Sequence, residues 1–199
     1  MKVLLASHNK KKIIELQDLL SSISPEIEVI SMSDIGYNDE IVEDGNTFEE
    51  NSLIKSHTGA KLGYITVADD SGLMVDALGG APGVYSARYA GEDCDNERNN
   101  EKLLCELKGV PREKRGAKFV SVVTCSFPDS RADIVAFGEC KGEILTDYRG
   151  NGGFGYDPLF WYEPMQKTFA EMTADEKNSI SHRGMAMKKF AEEFAKIKF

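Results

Sequence analysis

The first third of the sequence alternates between short apolar runs and a stretch with helical periodicity. An apolar run at 2–6 is followed by a polar turn, after which Ile13, Leu16 and Leu20 recur every three or four positions. This spacing places the three side chains on one helix face, so the pattern predicts a strand, a turn and a helix in that order. Apolar runs at 27–30 and 65–68 predict two further strands, the second of them buried.

Capping residues and longer apolar runs predict the remaining elements. Thr47 precedes a helical stretch at 48–62, and Glu50 stands three residues after Thr47, which is the spacing of a capping box. The strand at 65–68 is expected to end at the polar run Asp69-Asp70-Ser71-Gly72. The other predicted elements are helices at 96–107 and 181–196 and strands at 119–127 and 134–144, joined by a turn near 128–129.

The order of these elements predicts an α/β fold, with a mixed sheet and a second, β-rich lobe. Neither an internal repeat nor a linker rich in Gly, Pro or Ser interrupts the 199 residues. Residues 1–199 are therefore interpreted as a single domain that is long enough to bury its own core.

Composition and charge exclude several classes of protein. The apolar run near the amino terminus, KVLLA, is too short for a signal-peptide core or a membrane span, so a soluble, cytoplasmic protein is expected. The net charge of −9 argues against binding to nucleic acid polymers, which depends on lysine and arginine. Cys94, Cys105, Cys125 and Cys140 lack the close spacing of zinc ligands, so free and mostly buried thiols are predicted.

A basic turn, Ser7-His8-Asn9-Lys10-Lys11-Lys12, follows the first strand. The first amide groups of a helix have no intrahelical partner, and with the helix dipole they bind anions. Three consecutive lysines add positive charge that suits a triphosphate, although the glycines of a P-loop are absent. The same residues also fit an ordinary helix cap followed by a solvated basic turn.

Acidic residues follow the predicted buried strand at 65–68. In α/β sheets ligands bind at the carboxyl ends of strands, and carboxylates such as those of Asp69 and Asp70 are the usual hard oxygen ligands of a Mg²⁺ ion beside a phosphate. Glu43 and Asp44, which precede a glycine, can supply another metal ligand. The alternatives are an Asx turn or helix cap for the aspartates and a solvated loop for Glu43 and Asp44.

A glycine-dense loop and a cationic cluster are the last candidates. In the loop at 152–158, glycines permit close backbone approach, and Phe154 and Tyr156 can stack on a base. The alternative is a tight structural turn whose aromatic residues belong to the core. Cationic and hydrogen-bonding groups gather at the start of the final predicted helix: Lys177, Ser181, His182 and Arg183.

Taken together, these motifs resemble the Ham1/ITPase family of non-canonical purine NTP pyrophosphatases over nearly the full chain. The resemblance rests on five blocks in order, ASHNKKKIIEL, TFEENSLIK, VADDSGLMVDALGGAPGVYSARYAG, GGFGYDPLF and EKNSISHRGMAMKKF. It implies an elongated mixed α/β fold with a substrate cleft between two lobes, and a homodimer.

The resemblance also implies roles for particular residues. Asp70 is the expected catalytic base and metal ligand, Glu43 is the second metal carboxylate, and Mg²⁺ is the expected cofactor. Lys55 matches a lysine on the phosphate side of the cleft, and Ser71 matches a substrate contact. The remaining expected substrate-binding residues are Ser7, His8, Asn9, Lys10, Lys11 and Lys12 for the triphosphate, and Phe154, Gly155, Tyr156, Asp157, Lys177, His182 and Arg183 for the nucleoside.

The implied activity is hydrolysis of ITP, dITP and XTP to the nucleoside monophosphate and pyrophosphate. Arg183 and His182 are expected to provide donors to the 6-oxygen of a deaminated purine, because arginine can only donate. Two alternatives stay open. The first is a Maf-type pyrophosphatase that acts on other nucleotides, and the second is a nucleotide-sensing protein without turnover.

Overall fold

The computed structural model of the chain describes residues 1–129 and 131–197. The strands are β1 (Lys2–Leu5), β2 (Glu28–Ser31), β3 (Ile65–Val75), β4 (Gly116–Ser126), β5 (Ile134–Ile144), β6 (Phe160–Tyr162) and β7 (Lys167–Thr168). The α-helices are α1 (Lys10–Ile23), α2 (Phe48–Lys61), α3 (Asn96–Glu106), α4 (Ala174–Ile180) and α5 (His182–Phe194).

The seven strands form one mixed sheet in the order β2-β1-β3-β4-β5-β6-β7. The β1 strand is parallel to β2 and to β3, with Leu5 opposite Ser31 and Val67. At the other end of the order, β6 is antiparallel to β5 and to β7. The mixed α/β class predicted from the sequence is thereby confirmed.

Two compact units divide the chain. The first unit contains Met1–Asp70, Val122–Phe137 and Ala186–Phe199, and the second contains Ser71–Ser121 and Gly138–Met185. The strands β3, β4 and β5 each contribute residues to both units. The interpretation of residues 1–199 as a single domain stays a prediction.

The core of the first unit is formed by α1, α5 and the sheet. Leu16 and Leu20 of α1 are fully buried against the β1 strand, as the helical spacing of the sequence requires. Phe190 and Phe194 of α5 lie in the same cluster, one turn apart and with ring centroids 5.3 Å from each other. The segment 36–47, which precedes α2, is called the acidic loop. A second cluster, which includes Leu4, Ile30 and Met32, receives Tyr37 and Ile41 of this loop.

The second unit has a core of its own with a large aromatic share. Phe119 of β4 contacts Phe160 and Phe169, at ring-centroid distances of 4.7 and 5.6 Å. Leu73 and Val75 of β3 are completely buried in this core. Because residues two apart on a strand point to the same face, these two anchor the end of β3.

The structure corrects the predicted end of β3. The sequence predicted a strand that stops at the polar run 69–72, but β3 continues through this run to Val75. The strand continues because Leu73 and Val75 bury their side chains in the second core, while Asp69 gains a lysine partner. The catalytic candidates therefore stand inside a strand, where the backbone is held by its neighbours.

Other predictions have mixed outcomes. Helices α2, α3 and α5 begin and end within two residues of the predicted positions, and the capping box at Thr47 is present. Helix α1 contains the predicted periodic positions Ile13, Leu16 and Leu20. Helix α4 was missed, although Thr173 and Glu176 form a capping box that the sequence displays. The two strands predicted as a separate β-rich part, β4 and β5, instead lie in the single sheet.

The cysteines differ in burial, and the helices are short or polar. All four cysteines are free, but only Cys125 and Cys140 are buried, so the prediction of mostly buried thiols was wrong for Cys94 and Cys105. Within residues 1–129 and 131–197, every helix falls short of the length and apolarity that a membrane crossing requires.

Candidate functional site

A polar cavity of about 280 Å³ lies in the first unit. It receives residues from the turn after β1, from the acidic loop before α2, from α2 and from β3. Five predicted site residues line it together: Ser7, His8, Lys12, Glu43 and Lys55. The full lining is Ala6, Ser7, His8, Lys12, Met32, Tyr37, Asp39, Glu40, Ile41, Glu43, Lys55 and Asp69.

The turn before α1 is built around Asn9, which is the helix cap. Its Oδ1 accepts hydrogen bonds from the backbone N–H groups of Lys11 and Lys12, at 2.9 and 3.4 Å. The Asn9 N–H donates in turn to Ser7 Oγ at 3.1 Å. This cap directs Lys12 into the cavity, whereas Lys10 and Lys11 are exposed and do not line it.

Lys12 and Asp69 form an ion pair within the polar cavity. The Lys12 Nζ atom lies 3.0 and 2.8 Å from the two carboxylate oxygens of Asp69. The Asp69 side chain is only 6% exposed, and that of Lys12 is 30% exposed. The ammonium group is thus held by a buried carboxylate on one side while part of its surface stays open to a ligand.

Lys55 of α2 joins the two predicted metal ligands. Its Nζ atom lies 2.8 Å from Glu43 Oε2 and 3.5 Å from Asp70 Oδ1. Burial opposes the charge on Lys55, but Asp70 and Glu43 outweigh it and raise the pKa of this ammonium group. Two carboxylates from distant sequence positions therefore converge on one cation.

The charge of the cavity lining is unbalanced. Four carboxylates, those of Asp39, Glu40, Glu43 and Asp69, accompany only two ammonium groups, those of Lys12 and Lys55. Such an excess of hard oxygen donors favours a further cation. Among residues 1–129 and 131–197, however, no group of three or more His, Cys, Asp or Glu side chains is placed to hold a metal ion. A bound Mg²⁺ would thus be held by two carboxylates of the protein and by oxygen atoms of the molecule that binds beside it.

An aromatic cavity of about 270 Å³ lies in the second unit. It combines rings with a few polar groups, which is the usual composition of a site for an organic ligand. The predicted residues Ser71, Phe154, Gly155, Tyr156, Asp157, Lys177 and His182 all line it, together with Gly72, Ser86, Ala87, Cys94, Asn96 and Phe119.

One corner of the aromatic cavity is organised by Asp157. Its Oδ2 atom accepts hydrogen bonds from Lys177 Nζ at 2.5 Å and from the Phe154 N–H at 2.8 Å. Burial raises the pKa of Asp157, and Lys177 opposes that shift. A Cβ atom on Gly153 would lie 2.1 Å from Asp157 Oδ2, so only glycine permits this loop conformation. The Phe154 ring, 76% exposed, has Lys177 Nζ 5.0 Å from its centroid.

The other walls of the aromatic cavity are formed by ring stacking and by a buried tyrosine. The His182 ring stacks on Phe119, with centroids 4.8 Å apart and planes inclined by 13°. Tyr156 is buried, and its hydroxyl donates to the Ser86 carbonyl oxygen at 2.8 Å. Of the two predicted base-pairing residues, His182 lines the cavity and Arg183 does not.

Sequence reasoning missed several residues of both cavities. Asp69 was noted in its motif but was not selected, because its contact with Lys12 depends on tertiary packing. Phe119 and Ser86 gave no signal, because an aromatic residue in a strand and a serine in a loop are typical of many structures. Asn51, which holds the acidic loop, was hidden within the periodic stretch of α2.

The chain matches a known protein family along most of its length. The model of the Ham1 family matches residues 3–193, which is nearly the whole chain. The chain belongs to the Ham1 family. Among its relatives, this family member is 50% identical over 195 residues to a protein of Leuconostoc mesenteroides named dITP/XTP pyrophosphatase, with 96% of each chain covered.

Solved structures agree with the family assignment. The Staphylococcus aureus Ham1 protein is 40% identical to this Ham1-family chain, with a TM-score of 0.91 and 98% of each chain covered. A Mycobacterium abscessus structure described as a nucleoside-triphosphatase / dITP/XTP pyrophosphatase is 43% identical, with a TM-score of 0.83, covering 96% of this chain and 98% of that one. Of the two enzymatic alternatives left by the sequence, the family assignment favours the Ham1 pyrophosphatase over the Maf type.

Proposed function

We propose that this chain hydrolyses ITP, dITP and XTP to the nucleoside monophosphate and pyrophosphate. The observation that carries the proposal is the polar cavity, where Lys12 and Lys55 stand beside Glu43 and Asp69. Asp70 does not line this cavity, but its Oδ1 atom lies 3.5 Å from the Lys55 ammonium group. Such a mixture of ammonium groups and carboxylates suits a polyanion that is bound with a cation. The names of the relatives support this substrate class.

The triphosphate is assigned to the polar cavity. Lys12 and Lys55 supply fixed positive charge, and Ser7 supplies a hydroxyl near the start of α1. Because both ammonium groups are already paired with carboxylates, an incoming phosphate shares them with Asp69 and Glu43. The side chains are thus positioned before the substrate arrives, which limits the entropy lost on binding.

Mg²⁺ is the proposed cofactor, and Glu43 and Asp70 are the residues that would hold it. They fit this role because both are carboxylates that converge on one cationic group, the Lys55 ammonium. A Mg²⁺ ion is commonly bound by one or two carboxylates, waters and substrate phosphates. When bound, it neutralises the charge that accumulates on the phosphates.

Asp70 is the proposed catalytic residue. Its side chain is 17% exposed at a fixed position within β3, so it can orient a water molecule and accept a proton from it. Lys12 and Lys55 stabilise the negative charge that develops on the leaving pyrophosphate. The base is assigned to the aromatic cavity, where Phe154 offers an exposed ring for stacking and His182 offers a ring N–H donor.

Charge reversal at Lys12 tests the assignment of the triphosphate. Lys12→Glu should raise KM for ITP on the order of 10- to 100-fold, because a charge-assisted contact is replaced by repulsion. Lys11→Glu changes the same charge in the same turn but outside the cavity lining, and its effect on KM should stay below about threefold because exposed charges are screened by salt. Steady-state kinetics measure both, and an unchanged KM for Lys12→Glu would favour the solvated-turn interpretation.

The protein is further proposed to act in the cytoplasm as a homodimer, on the basis of the family resemblance. Light scattering at micromolar concentration should give twice the mass of the 22.0 kDa chain. A single species with the mass of one chain would reject the dimer.

A further inference from the structure

The acidic loop that carries Glu43 is fastened to α2 by two consecutive side chains. Asn51 Oδ1 accepts a hydrogen bond from the Gly45 N–H at 2.8 Å. Glu50 Oε2 accepts from the N–H groups of Asn46 and Thr47, at 2.6 and 3.2 Å. Three successive backbone donors at the end of the loop are therefore satisfied by one turn of the helix.

The spacing of these contacts continues to Lys55. Asn51 and Lys55 are four residues apart on α2, which is about 6 Å along the axis at a rise of about 1.5 Å per residue. Gly45 and Glu43 are two residues apart, which is about 6.6 Å in an extended chain. The Asn51–Gly45 and Lys55–Glu43 contacts can therefore form together, with the loop running antiparallel to the helix.

Packing leaves the loop little freedom at this point. Asn51 is only 3% exposed. A Cβ atom on Gly45 would lie 2.7 Å from Asn51 Oδ1 and 2.7 Å from Glu50 Cβ, so the approach requires glycine. On the other side of Glu43, Ile41 packs against the apolar cluster that includes Leu4 and Met32. The backbone is thus held on both sides of Glu43, at the second residue before it and at the second residue after it.

We propose that Asn51 is a positioning residue that acts through Glu43. By holding Gly45, it keeps the Glu43 carboxylate where Asp70 converges with it. Without this hydrogen bond, Glu50 still holds Asn46 and Thr47, but Gly45 loses its fixed distance from α2. The two carboxylates then no longer present a constant geometry to a cation. The inference rests on the proposed function, because it takes Glu43 and Asp70 as the groups that bind the metal.

Two variants perturb this contact from opposite sides. Asn51→Leu removes the acceptor while keeping a similar volume, and Gly45→Ala forces the backbone away from Asn51. Both should weaken binding of Mn²⁺ to the protein alone by about 10-fold in a titration followed by electron paramagnetic resonance, which is a typical loss for residues that orient metal ligands. The Mg²⁺ concentration for half-maximal activity should rise by a similar factor, with KM for ITP within about twofold at saturating Mg²⁺.

Thr47→Ala is the matched control for stability. It removes the cap hydrogen bond from the Glu50 N–H, at 3.1 Å, but leaves the Asn51–Gly45 contact. It should lower Tm without changing Mn²⁺ affinity. Wild-type Mn²⁺ affinity in Asn51→Leu, or an equal loss in Thr47→Ala at matched Tm, would overturn the proposal. Failure of the proposed function is a separate result, since wild type would then release no pyrophosphate from ITP at any metal concentration.

Discussion

Asp70→Asn should lower kcat for pyrophosphate release on the order of 1,000-fold, within the range for loss of a general base. The neutral amide binds Mg²⁺ more weakly than a carboxylate and cannot accept a proton from water. Asp70 lies 3.5 Å from Lys55 within β3, which has a neighbouring strand on each side, and the amide of asparagine fits the space of the carboxylate. Substrate binding should survive, because Lys12 and Lys55 stay in place.

The same substitution at Asp76 provides the control. Asp76 is exposed directly after β3, and it lines neither the polar nor the aromatic cavity. Circular dichroism should show folded protein for both variants, and a coupled pyrophosphate assay should show loss only for Asp70→Asn. If Asp70→Asn released pyrophosphate at nearly the wild-type rate with saturating Mg²⁺, the assignment of Asp70 would be wrong.

The second large effect concerns base choice: ITP, dITP and XTP should be hydrolysed far better than ATP. Deamination converts the 6-amino donor of adenine into an oxygen acceptor, so a fixed donor in the cavity pairs with hypoxanthine and xanthine. Opposite adenine the same donor loses its partner, which costs about 1–3 kcal/mol, or on the order of 10- to 100-fold per contact.

The lining of the aromatic cavity makes His182 a better candidate for this donor than Arg183. His182 lines the cavity and stacks on Phe119, whereas Arg183 is absent from the lining. His182→Phe keeps an aromatic ring against Phe119 but removes the ring nitrogens, so it should lower the ratio of kcat/KM for ITP to that for ATP. Arg183→Ala tests the other predicted residue. Equal kcat/KM values of the wild type for ITP and ATP would contradict the base-choice hypothesis. An unchanged ratio in one variant would only exclude that residue as the donor.

GTP requires a second criterion, because guanine also carries the 6-oxygen. Only guanine has an amino group at C2, where xanthine has an oxygen and hypoxanthine has hydrogen. A cavity with donors or tight walls near C2, and with no acceptor there, would leave that amino group unpaired. The same kinetic comparison therefore includes GTP, which should fall well below ITP and XTP. Stacking on Phe154 contributes to binding of every one of these nucleotides and discriminates poorly among them.

Local signals in the sequence account for much of the fold. The cap of α1 at Asn9 and the capping box of α2 at Thr47 depend on residues only a few positions apart, so they were predictable. The continuation of β3 to Val75 was not, because it depends on a second core formed by Phe119, Phe160 and other distant residues. A polar run inside a strand has the same local pattern as a turn.

In the candidate sites, individual residues were predictable from the sequence and the contacts between them were not. Lys12, Lys55, Glu43 and Asp70 could be selected from motifs and the family resemblance, but their pairings could not. The partners Lys12 and Asp69 are 57 positions apart, and Lys55 and Glu43 are 12 apart, so their contacts depend on tertiary packing. The role of Asn51 depends on one hydrogen bond to a backbone amide, which a sequence pattern does not display.

We expect the chain to cleave a deaminated purine nucleotide between its α and β phosphates. The most direct test is to incubate the wild-type protein with ITP and Mg²⁺ and to quantify all products by ion-exchange chromatography. Equal amounts of IMP and pyrophosphate should form, with neither IDP nor orthophosphate. Accumulation of IDP with orthophosphate, or recovery of intact ITP at every Mg²⁺ concentration, would contradict the proposed reaction.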